Sequence, residues 1–434
     1  MPTSLMGRMF ANTVWLLGGK GFGAICSLLY LAILTRSLGL KGFGHFSLIF
    51  GTAQALIAFA GFQTWRVVVR YGAEHVHAKD WNAFGRLGML CGVLDAAGAA
   101  IGCGIAWVAF YQFSDTLDLN KSLIDTAFYF NCAMLWALVS APTGIVRALD
   151  RFDVAVYVEA VVPIGRLTAA TIIWLTEPTL IKFLMAWAAI DLLEAAAYWA
   201  MARHLAPESV QFRHLRHWRT AVQENEGIIR FFGITYANAT LDAIKRNGPL
   251  LAVGFFVGTK AAGLYRLAQQ LSQGLSKLST LLTRSVYAEI ARARVAATVS
   301  EFRKLAVRTS LIAGLAGTLV VLLAILAGKQ LLGVIGGDDF EAGYAVMVPL
   351  TLAASFELAS VAFEPVLHST GRARYGLMAQ LIALSALAIA LLGLVHAFGA
   401  TGIAWAVALG GAVFYVSMGS MAHHTLKLVD KGKL

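Results

Sequence analysis

Residues 39–48 read Gly-Leu-Lys-Gly-Phe-Gly-His-Phe-Ser-Leu, and residues 258–267 read Gly-Thr-Lys-Ala-Ala-Gly-Leu-Tyr-Arg-Leu. Two glycines, a lysine and a leucine coincide in these stretches at a constant offset of about half the chain, which indicates an internal duplication. Each stretch joins one long apolar run to the next. The sequence therefore predicts two halves built on the same plan.

The chain around these motifs is too apolar for a soluble protein. Its 434 residues are 58% hydrophobic and 14% charged, with a mean hydropathy of +0.70. We predict an all-α membrane protein of about twelve transmembrane helices, in two six-helix lobes related as parallel repeats around a central cavity. The predicted spans are 12–34, 43–68, 85–110, 124–146, 154–175, 180–201, 228–257, 261–290, 305–327, 344–368, 375–398 and 401–423.

Basic residues predict the orientation of these spans. With the N-terminus inside, most of the 35 lysines and arginines fall at inner loops, so both termini are expected in the cytoplasm. The midpoint connection places Phe212, Leu215 and Trp218 at every third position between arginines, which is typical of a helix that binds anionic lipids. A solvated basic linker is the alternative. The predicted domains are an N-terminal lobe at 1–203, a cytoplasmic amphipathic linker at 204–226 and a C-terminal lobe at 227–434.

The sequence offers little for catalysis or metal binding. Four cysteines fall within predicted spans without paired spacing, which favours neither a disulfide nor a metal site. A phosphate-cradling Gly-x-x-x-x-Gly-Lys loop and a nucleophile elbow are both missing from the sequence. We expect no catalytic residue, no metal and no cofactor, and no nucleic-acid partner despite the net charge of +11.

Charged side chains nevertheless recur inside the predicted spans. An ionisable residue at mid-bilayer costs about 2.5 to 3.5 kcal/mol on insertion scales, so it is expected to face the bundle interior or a wet cavity. Polar residues of the seventh and eighth spans recur at steps of three and four, on one face of each helix. The candidate substrate-binding residues are Lys20 in the first span, Lys245 and Arg246 in the seventh, and Arg266, Gln269, Gln273 and Lys277 in the eighth.

A cationic cavity follows if the first, second, seventh and eighth spans line it together, because five of these side chains are basic and only Asp242 is acidic. Lysine and arginine bind phosphate oxygens through charge-assisted hydrogen bonds, so the cavity would suit a diphosphate head. The third, fifth, sixth and tenth spans hold the acids Asp95, Glu159, Asp191, Glu194, Glu357 and Glu364, and Arg166 is the only base expected to be buried there.

Two interpretations of the acids stay open. In the first, they are structural: Asp242 neutralises Arg246 one turn away, and Lys277 pairs with Glu357 or Glu364. In the second, Asp242, Glu357 and Glu364 bind a coupling proton or cation.

Several stretches resemble a known family. The first half resembles the start of Wzx-type polysaccharide biosynthesis flippases in Asn12-Thr-Val-Trp-Leu-Leu-Gly-Gly-Lys20-Gly, in Leu31-Ala-Ile-Leu-Thr-Arg-Ser-Leu-Gly39 and in Gly42-Phe-Gly44. The second half resembles them in Ala261-Ala-Gly-Leu-Tyr265-Arg-Leu-Ala-Gln-Gln270. These proteins belong to the multidrug, oligosaccharidyl-lipid and polysaccharide exporter superfamily.

The resemblance implies a flippase that moves a polyprenyl-diphosphate-linked oligosaccharide from the cytoplasmic to the outer leaflet of the bacterial inner membrane by alternating access. It implies a cavity lined by the first, second, seventh and eighth helices, with Lys20, Arg246, Arg266 and Lys277 as diphosphate contacts. The implied role is in lipopolysaccharide or exopolysaccharide biosynthesis. Polysaccharide polymerase and glycosyltransferases are candidate partners, and a proton or sodium gradient is the candidate energy source.

Two other functions remain alternatives. A cation-coupled multidrug antiporter of the same superfamily would need a net acidic pocket, which the five cations disfavour. A membrane glycosyltransferase or polymerase would need acids at the outer face, where the sequence offers Asp115, Asp118, Glu177 and the Asp338-Asp339-Phe-Glu341 loop.

Overall fold

The structure, a computed structural model, describes residues 5–112, 119–274, 299–363, 366–367 and 372–430, with side chains except at 5–20, 212, 299–306, 362, 373 and 428–430. Across these ranges the chain forms helices joined by short turns and contains no strand. The predicted all-α class is therefore confirmed.

The helices are numbered here in chain order. They are α1 (Leu5–Ala60), α2 (Thr64–His77), α3 (Trp81–Gln112), α4 (Ile124–Trp136), α5 (Ser140–Ala148), α6 (Phe152–Glu159), α7 (Val161–Leu175), α8 (Leu180–Leu205), α9 (Trp218–Glu224), α10 (Ile228–Phe256), α11 (259–274), α12 (Val299–Gly336), α13 (Tyr344–Ala359) and α14 (Ala373–Asp430).

Seven helical segments among the described residues are long and apolar enough to cross a membrane. Two of them, Gly21–Ala60 and Arg374–Lys427, are much longer than the roughly 20 residues that one span needs. Each contains a kink at a glycine in the left-handed region, Gly39 with φ 64° and Gly399 with φ 55°. Both kinks fall between two predicted spans, so each long segment accounts for a pair of spans.

Three predicted spans are divided in the structure. The second span, expected to be continuous over 43–68, is interrupted where α1 ends at Ala60 and α2 begins at Thr64. Gln63 lies in this break with φ 51°. The fourth span is divided into α4 and α5, and the fifth into α6 and α7. The apolar pattern runs through all three breaks, which is why hydrophobicity did not reveal them.

A buried carboxylate connects two of these breaks. Asp95 of α3 accepts hydrogen bonds from Thr64 Oγ1 at 2.8 Å and from the Ala141 backbone N–H at 2.7 Å, at the starts of α2 and α5. Ser140 Oγ accepts from the Trp65 N–H at 3.0 Å. N–H groups in the first turn of a helix have no partner within that helix, and lipid offers none. These side chains therefore make breaks within an apolar span tolerable.

Replacing Asp95 tests this role. We expect Asp95→Ala to destabilise the protein by about 2 kcal/mol, because the buried N–H of Ala141 loses its acceptor. Thermal unfolding in detergent should show a lower Tm, with Asp95→Asn, which keeps one acceptor oxygen, between the alanine variant and the wild type. A wild-type Tm for Asp95→Ala would contradict the assignment.

The chain folds into two compact units. The first comprises Met1–Leu38 and Phe46–Gly248, and the second comprises Gly39–His45 and Pro249–Leu434. Residues 39–45, the first seven of the first motif copy, thus belong to the second unit. The predicted limits of the two lobes and of the linker stay predictions.

Aromatic rings fill the core of the first unit. Trp187 of α8 is 1% exposed and packs edge to face against Tyr30, Phe46 and Phe183, with ring centroids 5.4, 5.8 and 5.9 Å away. Such pairs add about 0.5 to 1.5 kcal/mol each beyond the area that they bury. Trp187 therefore packs α8 against α1 on both sides of the kink at Gly39.

The connection between α8 and α10 is docked on the start of α3. A Cβ at Gly85 would lie 2.5 Å from the Glu208 carbonyl oxygen, so glycine permits the close approach. Arg86 Nε donates to Glu224 at 3.0 Å. Burial against Gly85, together with the positive charges of Arg213 and Arg86, lowers the pKa of His214. His214 is therefore neutral at pH 7.

This connection is not the single amphipathic helix that the sequence predicts. It forms a 3-10 helix at Phe212–His217 followed by α9, with His214 packed against Gly85 of α3. A 3-10 helix has three residues per turn, which fits the three-residue spacing of the sequence. The exposed side chains still form a basic and aromatic surface, made of Arg213, Arg216, Trp218 and Arg219.

The two copies of the repeated motif contact each other within the second unit. A methyl group at Gly44 would overlap the Thr259 carbonyl oxygen, and one at Gly263 would lie 2.9 Å from the Leu40 carbonyl oxygen. The contacts are reciprocal, because Gly44 and Gly263 are equivalent in the repeat and so are Leu40 and Thr259. The motif glycines thus permit backbone-to-backbone packing between the two halves of the duplication.

Candidate functional site

The predicted polar face of the seventh span lies on α10. Asp242 and Arg246, one turn apart, are exposed, and Lys245 is half-buried. The helix continues past Pro249 to Phe256. A guanidinium and an ammonium group are therefore held on adjacent positions of one helix of the first unit.

The predicted polar face of the eighth span lies on α11. Arg266 is half-buried, and its Nη1 lies 3.5 Å from Oε1 of Gln269, at the long limit of a hydrogen bond. Gln269 is buried and Gln273 is exposed. Deeper in the helix packing, Ser272 Oγ lies 3.0 Å from Thr351 Oγ1 of α13. The second unit thus presents a polar strip on α11, with a guanidinium beside two amides.

Three other predicted site residues lie wholly or partly outside the described residues, and a fourth, Glu357, lies within them. Lys277 and Glu364 lie outside the described residues, and Lys20 lies on α1 with its side chain outside them. Glu357 is exposed on α13. Whether the faces of α10 and α11 line one cavity with Lys20 and Lys277 stays a prediction. Within the described ranges, His, Cys, Asp and Glu form no group of three that could hold a metal ion.

The acids of the first unit already have partners in most cases. Arg166 of α7 donates through Nη2 to both oxygens of Asp191 on α8, at 2.7 and 2.9 Å. The same guanidinium stacks on Phe50 and Trp187, with Cζ 5.4 and 5.6 Å from the ring centroids. Sequence analysis identified Arg166 as a buried base but did not pair it, because the partner is on another span.

A second ion pair lies further along the same unit. Arg147 Nη2 donates to Glu159 at 3.0 Å, and the Tyr198 hydroxyl donates to the same Oε1 at 3.3 Å. Glu194 of α8 is half-buried and lies close enough to Asp191 and Glu159 to interact with them electrostatically. Arg147, Glu159, Tyr198 and Glu194 thus form a partly buried polar cluster in which Glu159 is paired with a base.

Sequence analysis gave no site role to the arginines of α2. Arg66 and Arg70 are exposed, and each stacks on an aromatic ring: Arg66 Cζ lies 5.3 Å from the Trp65 centroid and Arg70 Cζ 4.5 Å from that of Phe231. The available signal was their spacing of four residues, in a segment otherwise counted only as basic inner loop.

Comparisons with known proteins are consistent with this architecture. Residues 9–293 match the family described as polysaccharide biosynthesis protein. The inner membrane protein YghQ of Escherichia coli (strain K12) is 27% identical over 337 residues, covering 77% of this chain and 94% of YghQ.

Two solved structures share the fold at 12% sequence identity. One is an inward-facing multidrug resistance MATE family transporter of the MOP superfamily, with a TM-score of 0.73, covering 95% of this chain and 96% of the transporter. The other is the lipid II flippase MurJ in an inward closed conformation, with a TM-score of 0.73, covering 95% of this chain and 87% of MurJ.

The family match covers more than half of the chain. The likeness in fold to each of the two solved structures covers 95% of it. The protein is therefore a multi-span membrane protein that shares its fold with these two solved structures, and the chain belongs to the polysaccharide biosynthesis protein family.

Proposed function

We propose that the protein is a flippase that carries a polyprenyl-diphosphate-linked oligosaccharide from the cytoplasmic to the outer leaflet of the bacterial inner membrane. The observation that carries the proposal is the pair of polar, cation-bearing helix faces on α10 and α11, in a member of a polysaccharide biosynthesis family. Membership of this family supports a substrate that is used in polysaccharide biosynthesis, and the cations of the two faces support an anionic one.

The physical match is between guanidinium groups and phosphate. Arg246 and Arg266 each offer several N–H donors in a planar fork, which fits phosphate oxygens and keeps its charge at any physiological pH. A carbohydrate chain needs hydroxyl partners as well, and Gln269 and Gln273 supply amide groups on the same face as Arg266. One helix face can therefore bind the diphosphate and the first sugars together.

Movement between leaflets would follow from alternating access. The substrate would load from the cytoplasmic side, where both chain termini are expected, and leave on the opposite side after the two halves rearrange. Asp242 and Glu357 are candidates to bind a coupling proton or sodium ion, as is Glu364, which lies outside the described residues. Lys20 and Lys277 complete the proposed set of diphosphate contacts.

A multidrug antiporter would need a carboxylate available to a cationic drug. In the first unit, Asp95 is held by Thr64 and Ala141, and Asp191 is held by Arg166. Glu159 is likewise held by Arg147. These three acids are held within the protein and are not available to a cationic drug. Asp242 is exposed, but Lys245 and Arg246 lie close to it on α10, which favours an anionic substrate over a cationic one.

Partners beyond the substrate are proposed from exposed surfaces and from the family. The basic and aromatic surface formed by Arg213, Arg216, Trp218 and Arg219 suits anionic headgroups of the inner leaflet. Polysaccharide polymerase and glycosyltransferases of the same biosynthetic route would supply and consume the lipid-linked glycan.

Flipping can be measured in liposomes that contain a fluorescent polyprenyl-diphosphate sugar and a membrane-impermeant quencher. We expect wild-type protein to expose the probe to the quencher, and Arg246→Ala and Lys277→Ala each to slow this by about tenfold or more. The expected size follows from a hydrogen bond to a charged group, which contributes about 1.5 to 3 kcal/mol.

Arg203→Ala serves as the matched control, because Arg203 is an exposed arginine at the end of α8 outside the proposed site. It should flip the probe at the wild-type rate. Unchanged rates in both Arg246→Ala and Lys277→Ala would remove the cationic cavity, and absence of flipping by correctly folded wild type with several glycans would favour the antiporter.

A further inference from the structure

We propose that Arg66 and Arg70, on the exposed face of α2, form a loading site for the diphosphate group of the lipid-linked substrate, separate from the polar faces of α10 and α11. The inference rests on the proposed function and adds a site that neither the repeat nor the polar spans indicated.

The exposed face of α2 is polar, unlike the lipid-compatible faces of the long apolar helices. Its buried positions are mainly apolar, at Thr64, Val67, Val68, Tyr71 and Gly72. Its exposed positions are mainly polar, at Arg66, Arg70, Ala73, Glu74 and His77. The neighbouring α3 shows the opposite pattern, since its exposed side chains include Val93, Ile101, Ile105 and Trp107. A helix whose outward face carries two arginines in a row of polar residues is suited to an aqueous path.

The guanidinium groups of Arg66 and Arg70 differ in their partners from three other arginines of the first unit. Arg86, Arg147 and Arg166 each bond a carboxylate, on Glu224, Glu159 and Asp191 respectively. Arg66 and Arg70 pair with no carboxylate among the described residues; their recorded contacts are with aromatic rings.

Aromatic stacking prepares these groups for an anion. Arg70 Cζ lies 4.5 Å from the Phe231 centroid and 5.5 Å from that of Tyr71, and Arg66 Cζ lies 5.3 Å from that of Trp65. A ring contacts the flat face of a guanidinium, whereas the N–H donors point outward along its edge. The donors therefore stay available while the long side chains lose part of their freedom.

The spacing favours two phosphates over one. Residues four apart on a helix are separated by about 6 Å along its axis and lie on the same side. Each arginine can therefore meet one phosphate of a diphosphate, whereas a phospholipid of the inner leaflet offers one phosphate to the pair. This difference separates the substrate from bulk anionic lipid, which shares the same chemistry.

Helix α2, which carries Arg66 and Arg70, is held by hydrogen bonds at both ends. The start of α2 is held by the Asp95 and Ser140 hydrogen bonds. Near its end, the Tyr71 hydroxyl donates to the Glu226 carbonyl oxygen at 3.2 Å and His75 Nε2 lies 3.0 Å from Asn225 Oδ1. A rigid helix that presents two oriented cations loses little entropy when an anion binds.

Calorimetric titration of the full chain in detergent tests the site. The probes are farnesyl diphosphate, farnesyl monophosphate, phosphatidylglycerol and inorganic diphosphate. We expect the double variant Arg66→Gln/Arg70→Gln to weaken farnesyl diphosphate binding by about tenfold or more, with a wild-type Tm because both side chains are exposed. Arg66→Lys/Arg70→Lys, which keeps the charges without the planar fork, should give an intermediate loss. Each protein is also measured with Arg246→Ala added, which removes the proposed Arg246 contact from the comparison.

The outcomes separate this site from the proposed function. Arg203→Gln, the matched control, should bind farnesyl diphosphate as the wild type does. Equal affinity of the double variant and the wild type in the Arg246→Ala background would overturn the loading site and leave the flippase intact. An equal loss for phosphatidylglycerol or inorganic diphosphate would overturn its selectivity for a diphosphate lipid. Failure of folded wild type to bind any diphosphate lipid would overturn the proposed function and the loading site with it.

Discussion

Gly44→Val is expected to reduce flipping by more than tenfold, the largest effect of any single substitution outside the proposed cationic site. Even the Cβ of the new side chain would overlap the Thr259 carbonyl oxygen, which belongs to backbone and cannot rotate away. Overpacking of this kind costs about 1 to 3 kcal/mol or more, because α1 and α11 must separate to relieve it. Liposome flipping and Tm, measured on the same preparations, check the prediction.

The reciprocal contact explains why transport should suffer more than folding. Gly44 meets Thr259 while Gly263 meets Leu40, so the two copies of the repeated motif close on each other at one place. Both copies are predicted to lie on the outer side of the membrane. A substitution that keeps them apart would leave each helix intact but prevent this close contact, which we expect the proposed alternating access to require.

Gly393→Val is the matched control for Gly44→Val. Gly393 lies in α14, and a Cβ placed on it would meet nothing within 4 Å. It exchanges the same residue types in a helix without the close contact, so it should flip the probe normally. Gly263→Val should reproduce the Gly44→Val defect. Wild-type flipping by both motif variants would show that the contact is dispensable.

The sequence predicts those features of the fold that depend on neighbouring residues, but not those that depend on contacts between distant residues. The kinks at Gly39 and Gly399 were predictable, because each interrupts the apolar pattern with a glycine between two spans. The breaks within spans were not, since they depend on hydrogen bonds from a distant helix. Asp95 is 31 residues from Thr64 and 46 from Ala141, and the sequence does not show that these residues meet.

The candidate site likewise combines features that local spacing predicts with features that depend on tertiary packing. Helical spacing placed Arg266 and Gln269 on one face, and the structure brings their polar groups within 3.5 Å. The same reasoning counted Arg66, at the inner end of the second span, and Arg70, in the loop after it, only as inner basic residues. It ended the second span at 68 and did not extend a helix to His77. Their stacking on Trp65 and Phe231 depends on tertiary packing, for which a spacing rule gives no signal.

Asp191→Leu is expected to destabilise the protein by about 3 to 5 kcal/mol, the range observed when one partner of a buried ion pair is removed. Arg166 and Asp191 are each 9% exposed, so the guanidinium would keep its charge among apolar groups. The rings of Phe50 and Trp187 would then be its remaining described contacts. They stabilise a cation less than a carboxylate does, which leaves most of the desolvation penalty unpaid. Tm and chemical unfolding in detergent measure the loss.

The double variant Arg166→Met/Asp191→Leu separates stability from function. It removes both charges, so it should recover most of the stability lost in Asp191→Leu, and it can equal the wild type. The exposed pair of Lys182 and Glu177 at the start of α8 is the control, and Glu177→Gln should change Tm little because water replaces the lost contact. If the double variant folds well yet flips slowly, the ion pair is required for transport itself. If it folds and flips normally, the ion pair is structural, and Asp191 has no part in coupling transport to an ion gradient.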